Sequence, residues 1–315
     1  MSNMPNVQRR DILKASALLG GLTLLHEASA LSITQAPHAL AEGPLEEVPR
    51  SSGATLTIER RQSTVLIGIN RPEIQNRIDP ATYLSLARTL FHYDQDHSLR
   101  AAILFGHGEH FSRGIDVAAF APMIASGRPF LPASEVNAQD PLAKRSPSRL
   151  SKPLIAVVHG DTWNMAHEIF LAADIRIAAG ATNFGQDENT HGRFPGGGST
   201  VRFVREAGWG NAMRYMLTGD HWDAAEAFRM GLVQAVAANA DDALSMGMSI
   251  AGKIAACGPL GIRTTLESSH LAITSTETPA LVQLDSQFAR LFHTRDFAEG
   301  RKADAEGRKP DFKGN

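Results

Sequence analysis

KPLIAVVHGDTWNMAHEIFLAADIRIAAGATNFGQDENTHGRFPGGG, residues 152–198, is the stretch around which the chain is organised. The apolar run 154–158 has the length of a buried strand and ends on His159-Gly160. A polar turn follows, then a segment with helical spacing that carries Glu168. A second apolar run, 175–179, leads to Phe184-Gly185-Gln186 and a second carboxylate, Glu188, before the stretch closes on Pro195-Gly196-Gly197-Gly198. Short buried strands alternating with a helix predict an α/β fold. Two carboxylates delivered from successive strand ends are suited to serve as general acid and general base.

The bulk numbers narrow the class. At 315 residues the chain forms one large domain or two small ones. It is 43% hydrophobic and 20% charged, ordinary values for a globular protein. A net charge of −2 with no long block of one sign argues against nucleic acid or an anionic membrane as partner. Cys257 is the single cysteine, which excludes an internal disulfide and a Cys-based zinc site; it is expected as a small buried residue on a helix. His159, His167 and His191 lack the tight ligand spacing of a zinc site, so no metal is expected.

The first residues read as a targeting segment. Gln8-Arg9-Arg10-Asp11-Ile12-Leu13-Lys14 is a twin-arginine pattern, the apolar stretch 15–25 follows, and Ala28-Ser29-Ala30 offers small residues for cleavage. Residues 1–30 are therefore expected to be a Tat-type signal. The apolar part is well short of the ~20 residues of a spanning helix. A functional signal places the protein in the periplasm or outside the cell; without one it is cytoplasmic. Residues 31–54 lack periodicity and read as a linker, 55–240 as the core domain, and 241–315 as a helical C-terminal region suited to oligomerisation.

Within the core, 55–60 and 64–70 read as strands joined by a turn. Asp79-Pro80 starts a helix, with Asp as N-cap and Pro at the first helical position. The run 101–105 is apolar enough for a central strand covered on both faces. Residues 124–151 are polar and rich in proline, and predict one loose helix and a loop over the site. Helices are expected over 199–207, 211–217 and 223–230, a strand over 231–236, and helices over 243–256, 260–269, 278–292 and 296–305.

Two turns carry potential donors. Gly114-Ile115 before Asp116, and Asn164-Met165-Ala166 before the helix of Glu168, each leave backbone N–H groups open at a helix start. Convergence of the Ile115 and Met165 N–H groups on one oxygen would form an oxyanion hole, whose donors are each worth about 3 kcal/mol of transition-state stabilisation. Glu168 lies one helical turn beyond Met165. Local sequence does not bring Glu188 to the same place.

From residue 55 to the C-terminus the chain resembles the crotonase (enoyl-CoA hydratase/isomerase) superfamily. The matching pieces are Ile69-Asn70-Arg71-Pro72-Glu73 with Asn76, Phe111 to Val117, Pro153 to Ala178, Phe184-Gly185-Gln186, Pro195 to Gly198, Leu217-Thr218-Gly219, Ala227 to Val233, and Glu299 to Phe312. The resemblance implies a spiral of ββα units, a helical C-terminal trimerisation region giving a homotrimer or a dimer of trimers, and acyl-CoA thioesters as substrates. Coenzyme A then enters as part of the substrate and no cofactor is implied. Carried over by position, the oxyanion hole falls on Ile115 and Met165 and the two hydratase carboxylates on Glu168 and Glu188. These hold a water and add it across the 2,3-double bond of an enoyl thioester.

The departures are as specific. Asn164-Met165-Ala166 stands where the family usually has glycines, and a Met side chain beside the donor narrows the thioester pocket or reshapes the hole. His159 replaces the usual Asn, and is expected to be a hydrogen-bonded structural residue. His167 replaces a small residue, and His191 lies near the site; both are candidate supporting residues behind the carboxylates. Glu168 and Glu188 together favour a hydratase. The alternatives are a C–C bond hydrolase of a β-diketone-like substrate, relying on histidine, and an exported crotonase-fold protein that binds without catalysis.

Overall fold

The computed structural model describes residues 54–144 and 149–315, so the expected signal and all of the expected linker but its last residue lie outside the described residues. The chain opens with β1 (Leu56–Arg61), β2 (Thr64–Ile69), α1 (Pro80–Gln95), β3 (Ala101–Gly106) and α2 (Val117–Ala125). The central stretch supplies β4 (Leu154–Val158), β5 (Asp161–Trp163), α3 (Met165–Ala172), β6 (Ile175–Ala179) and β7 (Asn183–Gly185). Then come α4 (Ser199–Ala207), α5 (Trp209–Thr218), β8 (Trp222–Asp223), α6 (Ala224–Arg229) and β9 (Ala235–Ala237). Four helices finish the chain: α7 (Ala240–Ala255), α8 (Pro259–Leu281), α9 (Leu284–Phe292) and α10 (Arg295–Glu306). The class is α/β with a helical C-terminal region, as the sequence predicts.

The main sheet has the order β1-β2-β3-β4-β6-β9, antiparallel at β1–β2 and parallel elsewhere. Its inner strands are apolar on both faces because both faces are covered. Val65, Ile67, Ile69, Ala102, Leu104, Ala156 and Val158 point into the larger core. The alternate residues Leu66, Ala101, Ile103, Ile155, Val157 and Ile177 point into a second core beneath α7. The α7 helix rests directly on the sheet at Gly247, where a Cβ would lie 2.8 Å from Val157 Cγ2. The α1 start is capped as expected, with Thr82 N–H donating to Asp79 Oδ1 at 2.7 Å.

A second sheet, of order β5-β7-β8, is not visible in the sequence. Its strands are two or three residues long, too short to show alternation. Parallel pairing of β5 with β7 sets Trp163 against Gly185, so the turn before α3 and the turn before Glu188 leave the same edge.

Other expectations change. The 231–236 strand shrinks to β9, because Leu232 N–H closes the end of α6 on Ala227 O. The two helices expected over 260–292 divide elsewhere: α8 runs on to Leu281, ending two residues after Pro279, whose ring supplies no N–H to the last turn. The helix expected within 124–151 lies earlier, as α2. Cys257 is exposed beyond the end of α7, not buried on a helix.

Gly247→Leu is expected to destabilise the fold by about 1–3 kcal/mol, since the added side chain must displace Val157 and its neighbours in the sheet. Thermal unfolding of wild type and variant tests this, and an unchanged midpoint would refute the close helix–sheet approach.

Candidate active site

The first potential donor is built by the loop after β3. Asn76 is fully buried and donates through Nδ2 to His107 O and His110 O, both at 2.8 Å. Ser112 Oγ donates to Asn76 O at 2.7 Å and accepts from Gly114 N–H at 3.0 Å. Ile78 then pairs with this loop: its N–H donates to Gly114 O and its carbonyl accepts from Asp116 N–H, both at 2.8 Å. In that parallel bridge Ile115 spends neither its own N–H nor its carbonyl on Ile78, so its N–H faces the other way. Gly114 has φ +87°, and a Cβ there would lie 2.8 Å from Trp163 O and 3.3 Å from Met165 N. Only a residue without a side chain lets the Ile115 turn approach the Met165 turn this closely.

The second potential donor opens α3. Asn164 sits at φ 54° and ψ −122°, a conformation that favours glycine. Its N–H donates to Gly185 O at 2.9 Å. Its side chain donates to Asp187 Oδ1 at 2.8 Å and accepts from Asp187 N–H at 3.1 Å. That reciprocal bridge holds the strained turn and ties it to the turn before Glu188. Asp187 also accepts from His221 Nε2 at 3.1 Å. Against burial, the nearby His191 ring, with Nε2 at 3.9 Å, and the hydrogen bonds from His221 and Asn164 hold the Asp187 carboxyl below the usual carboxylate range. Met165 is the first residue of α3, so its N–H has no helical acceptor. Among the described residues, no backbone carbonyl accepts from Ile115 or Met165 N–H.

Both carboxylates are buried. Glu168, one turn into α3, is 3% exposed and accepts through Oε1 from Gly197 N–H at 2.7 Å and Ser199 N–H at 3.2 Å. The N-cap of α4 is Gly198, which has no side chain to offer, so Glu168 supplies the negative charge at that helix N-terminus. Burial pushes the Glu168 carboxyl up to about 7, against the pull of those two N–H groups and of Lys144 and Arg202. Glu188, which opens a 3₁₀ turn (Glu188–His191), is 7% exposed. Gln186 Nε2 donates to its two oxygens at 2.9 and 3.1 Å. Burial, then the charge of Glu168, push the Glu188 carboxyl well above the ordinary range. Burial and mutual repulsion thus favour protonation in both carboxyls, and repulsion by Glu168 adds to burial at Glu188.

One cleft is lined by Ile115, Met165, Glu168 and Glu188, with Phe130, Phe288 and other apolar side chains completing its wall. The Met165 side chain is 4% exposed and forms part of that lining. A salt bridge from Lys144 Nζ to Asp285 Oδ1, 2.5 Å long, lines it too. A separate cleft against α8, lined by Arg149, Arg263 and Glu277 among others, includes none of the predicted site residues. Neither His167 nor His191 lines the carboxylate cleft. His167 lies fully buried behind it on Gln186, and His191 is held by Asp304 Oδ1 at 2.8 Å. His159 bonds Gly108 O at 2.9 Å, outside the cleft. Sequence reasoning missed Gln186, Ser199 and Asp187 as parts of the site. The Phe184-Gly185-Gln186 match was the available signal for the first of them.

The strain at residue 164 gives a direct expectation. Asn164→Ala keeps the unfavourable φ and loses both bonds to Asp187, costing about 1–3 kcal/mol. Asn164→Gly loses the same bonds but relieves the strain and should fall within about 1 kcal/mol of wild type. Denaturant unfolding of the two variants tests the ordering, which the reverse result would refute.

Comparison with known proteins accords with this geometry. Residues 59–315 match the family model for enoyl-CoA hydratase/isomerase. The chain is 35% identical to enoyl-CoA hydratase EchA19 of Mycobacterium tuberculosis, over 83% of this chain and 97% of the relative. It is 30% identical to the crotonyl-CoA hydratase of Syntrophomonas wolfei, over 82% and 97%. Among solved structures, a probable enoyl-CoA hydratase/isomerase from Mycobacterium abscessus superposes with a TM-score of 0.66 at 38% identity, covering 83% of this chain and 99% of that one. The chain belongs to the enoyl-CoA hydratase/isomerase family and is an enzyme of that family.

Proposed function

We propose that this enzyme adds water across the 2,3-double bond of an enoyl-CoA thioester, with Glu168 and Glu188 as the acid–base pair and the N–H groups of Ile115 and Met165 as the oxyanion hole. The observation that supports the reading is that two buried carboxylates line the same cleft as Ile115 and Met165. The names of the relatives, both hydratases of CoA thioesters, support it.

The chemistry follows from the asymmetry of the pair. The thioester oxygen accepts from Ile115 and Met165 N–H, which stabilise the negative charge it gains in the transition state. A water sits between the carboxylates. Glu168, ionised on the α4 N-terminus, takes one proton from that water as its oxygen bonds to C3. The electron pair of the double bond moves toward C2 and the carbonyl, and protonated Glu188 delivers its proton to C2. The product gains H and OH, and the proton now on Glu168 returns to Glu188 to reset the pair.

A C–C bond hydrolase with His191 activating water has less support, because His191 is held by Asp304 outside the cleft, and His167 is held on Gln186. A homotrimer or paired trimers remain our reading of the assembly. Exposed Leu260, Leu271 and Val282 toward the C-terminal end support an apolar partner surface there.

The test is turnover of crotonyl-CoA by the mature chain, followed as loss of the enoyl-thioester absorbance. Glu168→Gln and Glu188→Gln should each lower kcat by about a thousandfold or more. Neither should lower the melting temperature, since each removes a buried ionisable group. Near-wild-type turnover in either variant would remove the mechanism. For the wild type, kcat/KM should fall as pH drops through about 7, where Glu168 takes up the proton that disables it as a base. A flat profile there would contradict the assignment of Glu168 as base.

A further inference from the structure

His167 is out of reach of the cleft, yet it is tied to it. The ring is fully buried among Phe170, Phe184, Phe203 and Trp222, with ring centroids 5.2–6.0 Å away. Its Nδ1 lies 2.5 Å from Gln186 Oε1, and its Nε2 is buried with no hydrogen-bond partner. Ser199 Oγ donates to the same Gln186 oxygen at 2.8 Å. The other end of that amide, Nε2, donates to both oxygens of Glu188.

A glutamine amide can present either end to a carboxylate, and the two ends act oppositely. Its NH₂ favours the ionised carboxylate and holds both oxygens in place. Its C=O accepts only from the protonated form. The choice is set by what lies behind the amide. Ser199 does not set it, because a hydroxyl both donates and accepts. The neutral imidazole of His167 has one proton. On Nε2 that proton would be a buried donor without an acceptor; on Nδ1 it meets the Gln186 carbonyl. Burial keeps the ring neutral by lowering its pKa to about 4.

We propose that His167 is a positioning residue: its Nδ1–H bond to Gln186 fixes which end of the Gln186 amide faces Glu188, and so sets the orientation and proton affinity of that carboxylate. The kinetic arm of the test rests on the hydration reading. The other charges facing Glu188 are Glu168, Asp187 and Arg193, and the variants below leave all three in place.

His167→Phe keeps an aromatic ring in the box and removes the donor. It should lower kcat for crotonyl-CoA about ten- to a hundredfold, with KM within about twofold of wild type. The basic limb of its kcat/KM profile, which reports ionisation of Glu188, should move to higher pH by about half a unit or more. His167→Asn carries an Nδ2–H where Nδ1–H stood and should restore both properties to near wild type. A folded His167→Phe with wild-type kcat and limb, or a His167→Asn as impaired as His167→Phe, overturns the proposal. Should His167→Phe fail to fold, Gln186→Met must show the same shift of the limb, and an unmoved limb overturns the proposal. Carboxyl ¹³C titration of Glu188 in wild type and the folded variant gives a readout free of turnover. An unchanged Glu188 titration defeats the His167 proposal, whereas failure of the wild type to hydrate crotonyl-CoA defeats the hydration reading.

Discussion

Two carboxylates enclosed in one cleft repel each other, and the site is arranged around that repulsion. Neither Glu168 nor Glu188 has a salt bridge to a basic side chain among the described residues; their hydrogen bonds come from neutral groups. Glu168 stands at the N-terminus of α4 and takes two backbone N–H bonds, whereas Glu188 takes one side-chain amide and also feels the charge of Glu168. The charge of Glu168 raises the proton affinity of Glu188 beyond what burial does. Burial raises both carboxyls; two backbone N–H bonds counter it at Glu168, whereas the charge of Glu168 adds to it at Glu188.

The turns that supply the open N–H groups obey a second constraint. A backbone that aims an N–H into a cleft has given up its place in a helix or sheet, so other bonds must hold it. At Ile115 the holding is done by Asn76, Ser112 and the bridge to Ile78. At Met165 it is done by Asn164, whose bonds to Asp187 stabilise a conformation that glycine would adopt freely. The substitution of Asn for a flexible residue thus couples the Met165 turn to the Glu188 turn. A change at Asp187 or His221 reaches both.

Much of this architecture was legible because its causes are local. Continuous apolar runs marked β2, β3, β4 and β6, since a strand covered on both faces has no exposed side to record in polar residues. Asp79-Pro80 marked the start of α1 because a cap is a bond between near neighbours. Failures fell where the causes were distant or the signal too short. β5, β7 and β8 have too few residues for a period to show, and apolar Leu232-Val233 reads as strand although Leu232 completes a helix end. Cys257 was misplaced because α7 ends before it, leaving no face to bury it.

The sequence by itself determined the α/β class, the central buried strands, the start of α1, and the spacing that puts Glu168 one turn past Met165. Each of these depends on hydrogen bonds and side-chain directions among residues a few positions apart. Only the tertiary structure decided that Glu188 meets Glu168, that Gly114 lies against Met165, and that His167 reaches Gln186. Those contacts depend on the parallel pairing of β5 with β7 and on the packing of α3 against α4. Pairing between segments about twenty residues apart is chosen by the whole core, because its energy comes from surfaces that do not exist until the sheet has formed.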